Sequence, residues 1–213
     1  MSSHALRSAE KTRADVLLLE LNGQKVVLKD YTNSNPGFSM FVGPFLTWRE
    51  SKALHRLQGL DGVPELVRKV SYRAILIEYI PSRRLRQAGQ GFDWVNFINQ
   101  AEQLTQSLHQ RGVVHGDLRN ATNILIDEKD RPVFVDLVSA VHQGSSWNPL
   151  TRWIFSQALI LDRGAVHKLK MKYAPQMVSA EEIEKWQQKG VMERVARKIS
   201  MLTRKLISVV FRI

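Results

Sequence analysis

The chain contains no cysteine. Structural disulfides, zinc–thiolate sites and a thiol nucleophile are therefore excluded. No apolar run approaches the roughly 20 residues needed to cross a bilayer. The first residues, Met1-Ser2-Ser3-His4, lead into charge and not into an apolar signal core, which predicts a cytoplasmic protein. Internal repeats and low-complexity linkers are also missing. Carboxylates are in short supply: 20 Asp and Glu stand against 31 Lys and Arg, for a net charge of +11. An excess of that size predicts a polyanionic partner, whether nucleic acid, acidic phospholipid or a phosphorylated glycan. What is present is ordinary for a soluble globular chain. The 213 residues are 44% hydrophobic, enough to bury the core of one domain or two small lobes.

Hydrophobic patterning divides the chain. Val16-Leu17-Leu18-Leu19-Glu20-Leu21 and Lys25-Val26-Val27-Leu28-Lys29-Asp30-Tyr31 are strand-like, and Asn22-Gly23 between them is a strong hairpin signal. Residues 32–37 read as loop. A helical pattern runs from Phe45 to Leu60, and Asp61-Gly62-Val63-Pro64 stops it. Strands are expected over Leu66–Val70 and Ala74–Tyr79. From Asp93 to Arg111 the apolar residues Val95, Ile98, Ala101, Leu104 and Leu108 recur at helical spacing, and Gly112 ends the helix. Ile124–Ile126 and Val133–Val135 read as short buried strands around a polar turn. Helices are expected again over Trp153–Leu161 and Ala165–Lys172. Ser179-Ala180-Glu181-Glu182 has the form of a capping box. The fold class is thus α+β, with a strand-rich part over 1–80, a mostly helical part over 81–178 and a terminal segment over 179–213.

The chemistry concentrates in Val114-His115-Gly116-Asp117-Leu118-Arg119-Asn120-Ala121-Thr122-Asn123, with Asp136 thirteen residues after Asn123. Alone, Asp117 is an aspartate in a turn. With Asn123, Asp136 and the flanking strands it belongs to an ordered set: a buried strand, a turn with an Asp and an Asn, a second strand and another Asp.

This set resembles the catalytic loop and metal-binding strand end of the protein-kinase-like superfamily. The His-Gly-Asp form is closer to its atypical members: RIO and Bud32 kinases, small-molecule phosphotransferases and bacterial lipopolysaccharide kinases of the Kdo/WaaP and InaA-like kinds. The resemblance implies a two-lobed kinase-like fold that uses ATP and Mg2+. It implies that Asp117 orients or deprotonates the acceptor hydroxyl, that Arg119 neutralises the transferring phosphoryl, and that Asn123 and Asp136 bind metal. Val26-Val27-Leu28-Lys29 is similar to the strand carrying the phosphate-binding lysine, with Glu50 as the partner of Lys29. Ile75–Ile80 would be the hinge strand, its backbone at Glu78 and Ile80 meeting the adenine edge.

Departures from the family pattern carry their own expectations. No glycine-rich loop precedes the first hairpin, so residues 6–15 would cover phosphates with Lys, Ser and Thr side chains. Asn123 lies six residues after Asp117 where five is usual, which predicts a bulged loop with Asn120 the less suitable ligand. Asp136-Leu137-Val138 replaces Asp-Phe-Gly. Gly116 replaces the arginine that anchors a phosphorylated activation loop, so no such activation is expected.

Only 77 residues follow Asp136, with no activation segment ending in Ala-Pro-Glu. Over Val191–Ile213, six Lys and Arg accompany one Glu, and apolar residues recur every three or four positions. Such a segment suits the surface of an anionic bilayer, or docks its apolar stripe on the protein with the basic face solvated. The main expectation is a peripheral kinase, on the inner face of the cytoplasmic membrane, acting on a hydroxyl of a lipid-linked glycan such as lipopolysaccharide core. A RIO/Bud32-like Ser/Thr kinase, whose basic surface meets nucleic acid, and a pseudokinase binding module are the alternatives.

Overall fold

The structure is a computed structural model, and it describes residues 3–7, 12–144, 147–184 and 186. The chain divides into two compact units, Met1–Val166 and His167–Ile213. The first unit opens with strands β1 (Ser3–Arg7), β2 (Asp15–Leu21) and β3 (Gln24–Asp30). A π-helical turn over Phe38–Val42 and helix α1 (Gly43–Leu57) follow. Next come β4 (Leu66–Lys69), β5 (Ala74–Glu78), β6 (Ser82–Arg84) and helix α2 (Trp94–Gln110). Strands β7 (Val113–Val114), β8 (Ile124–Asp127), β9 (Pro132–Phe134) and β10 (Val141–His142) precede helix α3 (Pro149–Tyr173).

The first five strands form one antiparallel sheet in the order β1-β2-β3-β5-β4. Asn22 and Gly23 both have positive φ, 51° and 79°, the turn that matches the right-handed twist of two strands. Strand β3 sits in the middle of the sheet, with Lys29 paired to Val16 and Ile75. Helix α1 buries Thr47, Glu50, Leu54 and Leu57, one stripe at helical spacing.

The second half is built on α2. The Asp93 carboxylate caps its start by accepting from Asn96 N–H at 2.9 Å. Phe97, Ile98 and Leu108 are fully buried, as are Ile124, Ile126 and Phe134 of the β8–β9 hairpin. Truncating such a phenylalanine to alanine costs about 3–5 kcal/mol. Strand β6 joins this hairpin in a three-stranded sheet, and β7 pairs with β10. The sheet pairing therefore changes partners between Glu78 and Ser82.

Several elements differ from the sequence reading. Strand β1, which pairs with β2, has no counterpart in the sequence reading, and residues 8–11 of the covering segment expected over 6–15 lie outside the described residues. Helical structure begins before Phe45, because the π-helical turn feeds directly into α1. The two helices expected around Gly164 are one continuous helix, α3. A single helical glycine costs only about 1 kcal/mol relative to alanine, too little to break a packed helix. The capping box forms as read, with Ser179 Oγ accepting from Glu182 N–H at 3.1 Å and residues 180–184 helical. The basic segment Val191–Ile213 lies outside the described residues. Among those described, no helix is long and apolar enough to cross a membrane.

Candidate active site

Lys29 Nζ donates to Glu50 Oε1 at 2.6 Å and to Asp136 Oδ1 at 2.9 Å. Three distant parts of the chain meet there: the central strand β3, helix α1 and Asp136, two residues after β9. Burial alone would pull the lysine pKa down. The Glu50 and Asp136 carboxylates more than offset it and hold the ammonium above its ordinary value. Burial pushes the Glu50 carboxyl upward, and Lys29 opposes that shift. Asp136 takes a left-handed backbone, φ 67° and ψ 64°, which turns the chain out of β9. Non-glycine residues held there are costly and cluster at functional sites.

The loop after β7 is tied down from two sides. His115 is fully buried, with Nε2 3.0 Å from Val135 O and Nδ1 accepting from Asp117 N–H at 3.4 Å. Those partners require the neutral tautomer with the proton on Nε2. Burial lowers the His115 pKa, with only partial compensation from Asp162. Asp162, on α3, accepts from His115 N–H at 2.7 Å and Gly116 N–H at 3.0 Å, and lies 3.2 Å from His109 Nε2. Gly116 has φ +80°, and a Cβ there would collide with the Ser139 carbonyl oxygen. The missing arginine thus has a local cause: only glycine fits this backbone.

The six-residue spacing is absorbed by a 3-10 turn over Ala121–Asn123. Asn120 caps it, its Oδ1 accepting from Thr122 N–H at 3.3 Å and Thr122 Oγ1 at 2.8 Å. Asn123 is buried, and its Nδ2 donates to Asp117 O at 3.0 Å and Asp117 Oδ2 at 3.2 Å. Val135 N–H donates to Asn123 O at 3.0 Å, which locks the loop to the strand end carrying Asp136.

A cleft of about 420 Å³ opens above these residues. Val16, Val27, Ile77, Leu125 and Val135 supply its apolar walls, and Lys29, Asn123 and Asp136 its polar end. Glu78 and Ile80 line it beside Tyr79. Glu78 N–H is already used by Glu65 O at 2.9 Å, and its carboxylate accepts from Glu65 N–H at 3.1 Å. The Ile80 N–H makes no hydrogen bond among the described residues. Asp117, Arg119 and Glu50 do not line the cleft: Glu50 lies behind Lys29, and Asp117 beside Asn123. Arg119 is half-buried in the same loop.

Sequence reasoning missed Asp162, which looks like any helical aspartate, and Arg84, which lines the cleft from β6. It also passed over the apolar walls, whose strand pattern is that of any core strand.

The sequence profile of the RIO domain family matches residues 42–157, more than half of the chain. The fold is similar to the crystal structure of the Rio2 kinase from Chaetomium thermophilum, with a TM-score of 0.60 at 19% identity over 79% of this chain and 56% of that one. It is similar also to the ADP/Mg2+-phosphoaspartate complex of that kinase, with a TM-score of 0.57, 19% identity and coverage of 79% and 55%. The chain thus spans little more than half the length of these kinases. No curated protein matches it significantly.

Proposed function

The chain belongs to the RIO domain family, and on that premise we propose that it is an Mg-ATP-dependent kinase that phosphorylates a hydroxyl. The observation that carries this reading is the contact of Lys29 with both Glu50 and Asp136, 21 and 107 residues away in sequence. A merely solvated strand lysine has no reason to be buried between two carboxylates.

In this reading the adenine lies between the apolar walls of the cleft, with the Glu78 carbonyl and the Ile80 N–H as its polar edge. Lys29 binds phosphate as a point charge, and Glu50 holds it in place. Asn123 and Asp136 offer oxygen ligands, and among the described residues no cluster of three His, Cys, Asp or Glu could cage a metal without help. That donor set fits magnesium, which keeps waters and phosphate oxygens in its shell. The ion would neutralise charge on the phosphate oxygens. Asp117 accepts the acceptor's proton as the hydroxyl oxygen bonds to the γ-phosphorus and the bond to the ADP oxygen breaks. Arg119 offsets charge on the transferring group.

For the acceptor, the family match favours a RIO-like protein kinase over a glycan kinase. The glycan acceptor rests on the segment 191–213, which lies outside the described residues, and no described residue favours a glycan hydroxyl. Transfer of label from γ-labelled ATP, in extract fractionated into protein, lipid and glycan, tests the proposal. Label in protein supports it, and hydroxylamine treatment separates phosphate on hydroxyls from phosphate on carboxyls such as the phosphoaspartate of the Rio2 complex. Absence of both transfer and Mg-ATP binding would sink it.

A further inference from the structure

Helix α1 and the turn before it expose Met40, Phe41, Phe45 and Trp48, from 47% to 66% accessible. Phe41, Phe45, Trp48 and Lys52 follow at steps of four, three and four. The Phe45 and Trp48 rings are 6.0 Å apart. The Arg49 guanidinium lies 5.9 Å from the Phe45 ring, and Lys52 Nζ 4.9 Å from the Trp48 ring. Each ring therefore has a cation over its face.

A second group stands at the start of α3. Trp147 is 81% exposed, and Leu150, Trp153 and Ile154 are exposed at helical spacing after it. The two groups border one short segment. His142 Nε2 lies 3.2 Å from Arg49 O on α1, and the Gly144 backbone packs directly against Thr151 on α3.

No carboxylate interrupts either group. From residue 31 to 60 the sole acidic residue is Glu50, buried against Lys29, and from 137 to 161 there is none. Together the groups put eight large apolar side chains in water, and such side chains mark an interaction surface where they form a contiguous patch.

We propose that the two groups form one face, which docks on an anionic lipid bilayer. Tryptophan and phenylalanine beside Lys and Arg are the side chains that settle at the level of lipid headgroups. The aliphatic members, Met40, Leu150 and Ile154, need an apolar phase, which a nucleic acid does not offer. The cations need negative charge, which a neutral bilayer does not offer. The proposal goes beyond the kinase reading and does not depend on it, since none of these side chains lines the nucleotide cleft.

The test is sedimentation of the full chain with vesicles of phosphatidylcholine alone and of phosphatidylcholine with phosphatidylglycerol. Binding is expected with the anionic vesicles, weakened but not abolished by salt. The pairs Phe45→Ser/Trp48→Ser and Trp147→Ser/Trp153→Ser should each lower partitioning on the order of tenfold, with unchanged Tm. Three of the five tryptophans, Trp48, Trp147 and Trp153, belong to the two exposed groups, so brominated lipids should quench much of the fluorescence of the unaltered protein. That readout stands even if a variant fails to fold. The proposal is overturned if the intact chain stays in the supernatant, as an acidic protein or RNA partner would require. It is overturned equally if a variant combining both pairs pellets like the parent, which would assign binding to another part such as 191–213.

Discussion

Asp162 accepts the backbone N–H of His115 at 2.7 Å, so a carboxylate on α3 anchors the loop that carries Asp117. Asp162 is 1% exposed and also receives Gly116 N–H. Asp162→Ala should therefore cost about 3 kcal/mol, the scale for leaving buried donors without their charged acceptor. Urea titration checks the stability loss. The turnover of whatever folds should also fall, because the loop loses its tether.

Lys29 and Glu50 form a buried pair, 7% and 1% exposed. Lys29→Met leaves the Glu50 carboxylate uncompensated and should destabilise by about 3–5 kcal/mol. Lys29→Met with Glu50→Gln should recover a good part of that loss, a coupling seen in a double-mutant cycle. Both variants should lose Mg-ATP binding. The pairing and the nucleotide role are thereby read separately: a Tm series gives the first, calorimetry the second.

Asp117→Asn keeps the shape and the amide contact of Asn123 but removes the proton acceptor. Turnover should drop by about 10² or more with Mg-ATP affinity nearly unchanged. Asp136→Asn should instead weaken Mg-dependent nucleotide binding. Equal activity of Asp117→Asn and the parent would remove Asp117 from the role of base.

Acid should loosen the catalytic loop through His115. Its burial keeps the folded pKa below the ordinary 6.5, so at pH just under 6.5 the unfolded chain binds more protons than the folded one. The stability contribution of neutral His115 is full above that pH and is lost as pH falls through 6.5 toward the lower folded pKa. Protonation would also remove the Nδ1 acceptor used by Asp117 N–H. Melting curves from pH 7.5 to 5 should show Tm falling with acid, and imidazole NMR signals of His115 should not titrate near 6.5.

Gly116→Ala tests the backbone cause of the His-Gly-Asp form. At φ +80°, against the Ser139 carbonyl, the added methyl should displace the loop and cost about 2 kcal/mol or more. A variant as stable as the parent would mean that the loop has room to spare.

The legible parts of the molecule were the local ones. The Asn22-Gly23 turn, the α2 stripe and the Ser179 box each announce themselves within a few residues, because turn conformation and helical period act over that range. Strands β6, β7 and β10 are two or three residues long, too short to show any period. The π-helical turn before α1 and the continuity of α3 through Gly164 depend on packing, which overrides a weak local preference.

The sequence by itself determined the order of chemical groups: lysine on an apolar strand, glutamate on the next helix, Asp117, Asn123 and Asp136 in series. It also determined that Gly116 stands where the family pattern has an arginine; that no side chain fits there came from the fold. Only the tertiary structure decided that Lys29 contacts both carboxylates, that the extra loop residue folds into a turn leaving Asn123 on Asp117, and that Asp162 holds the loop. Those contacts join residues separated by up to 107 positions, and no local rule of spacing reaches so far. They arise when strand β3, α1, the β8–β9 hairpin and α3 bury their apolar faces, because desolvating a charge is tolerable only where another charged or polar group is already waiting.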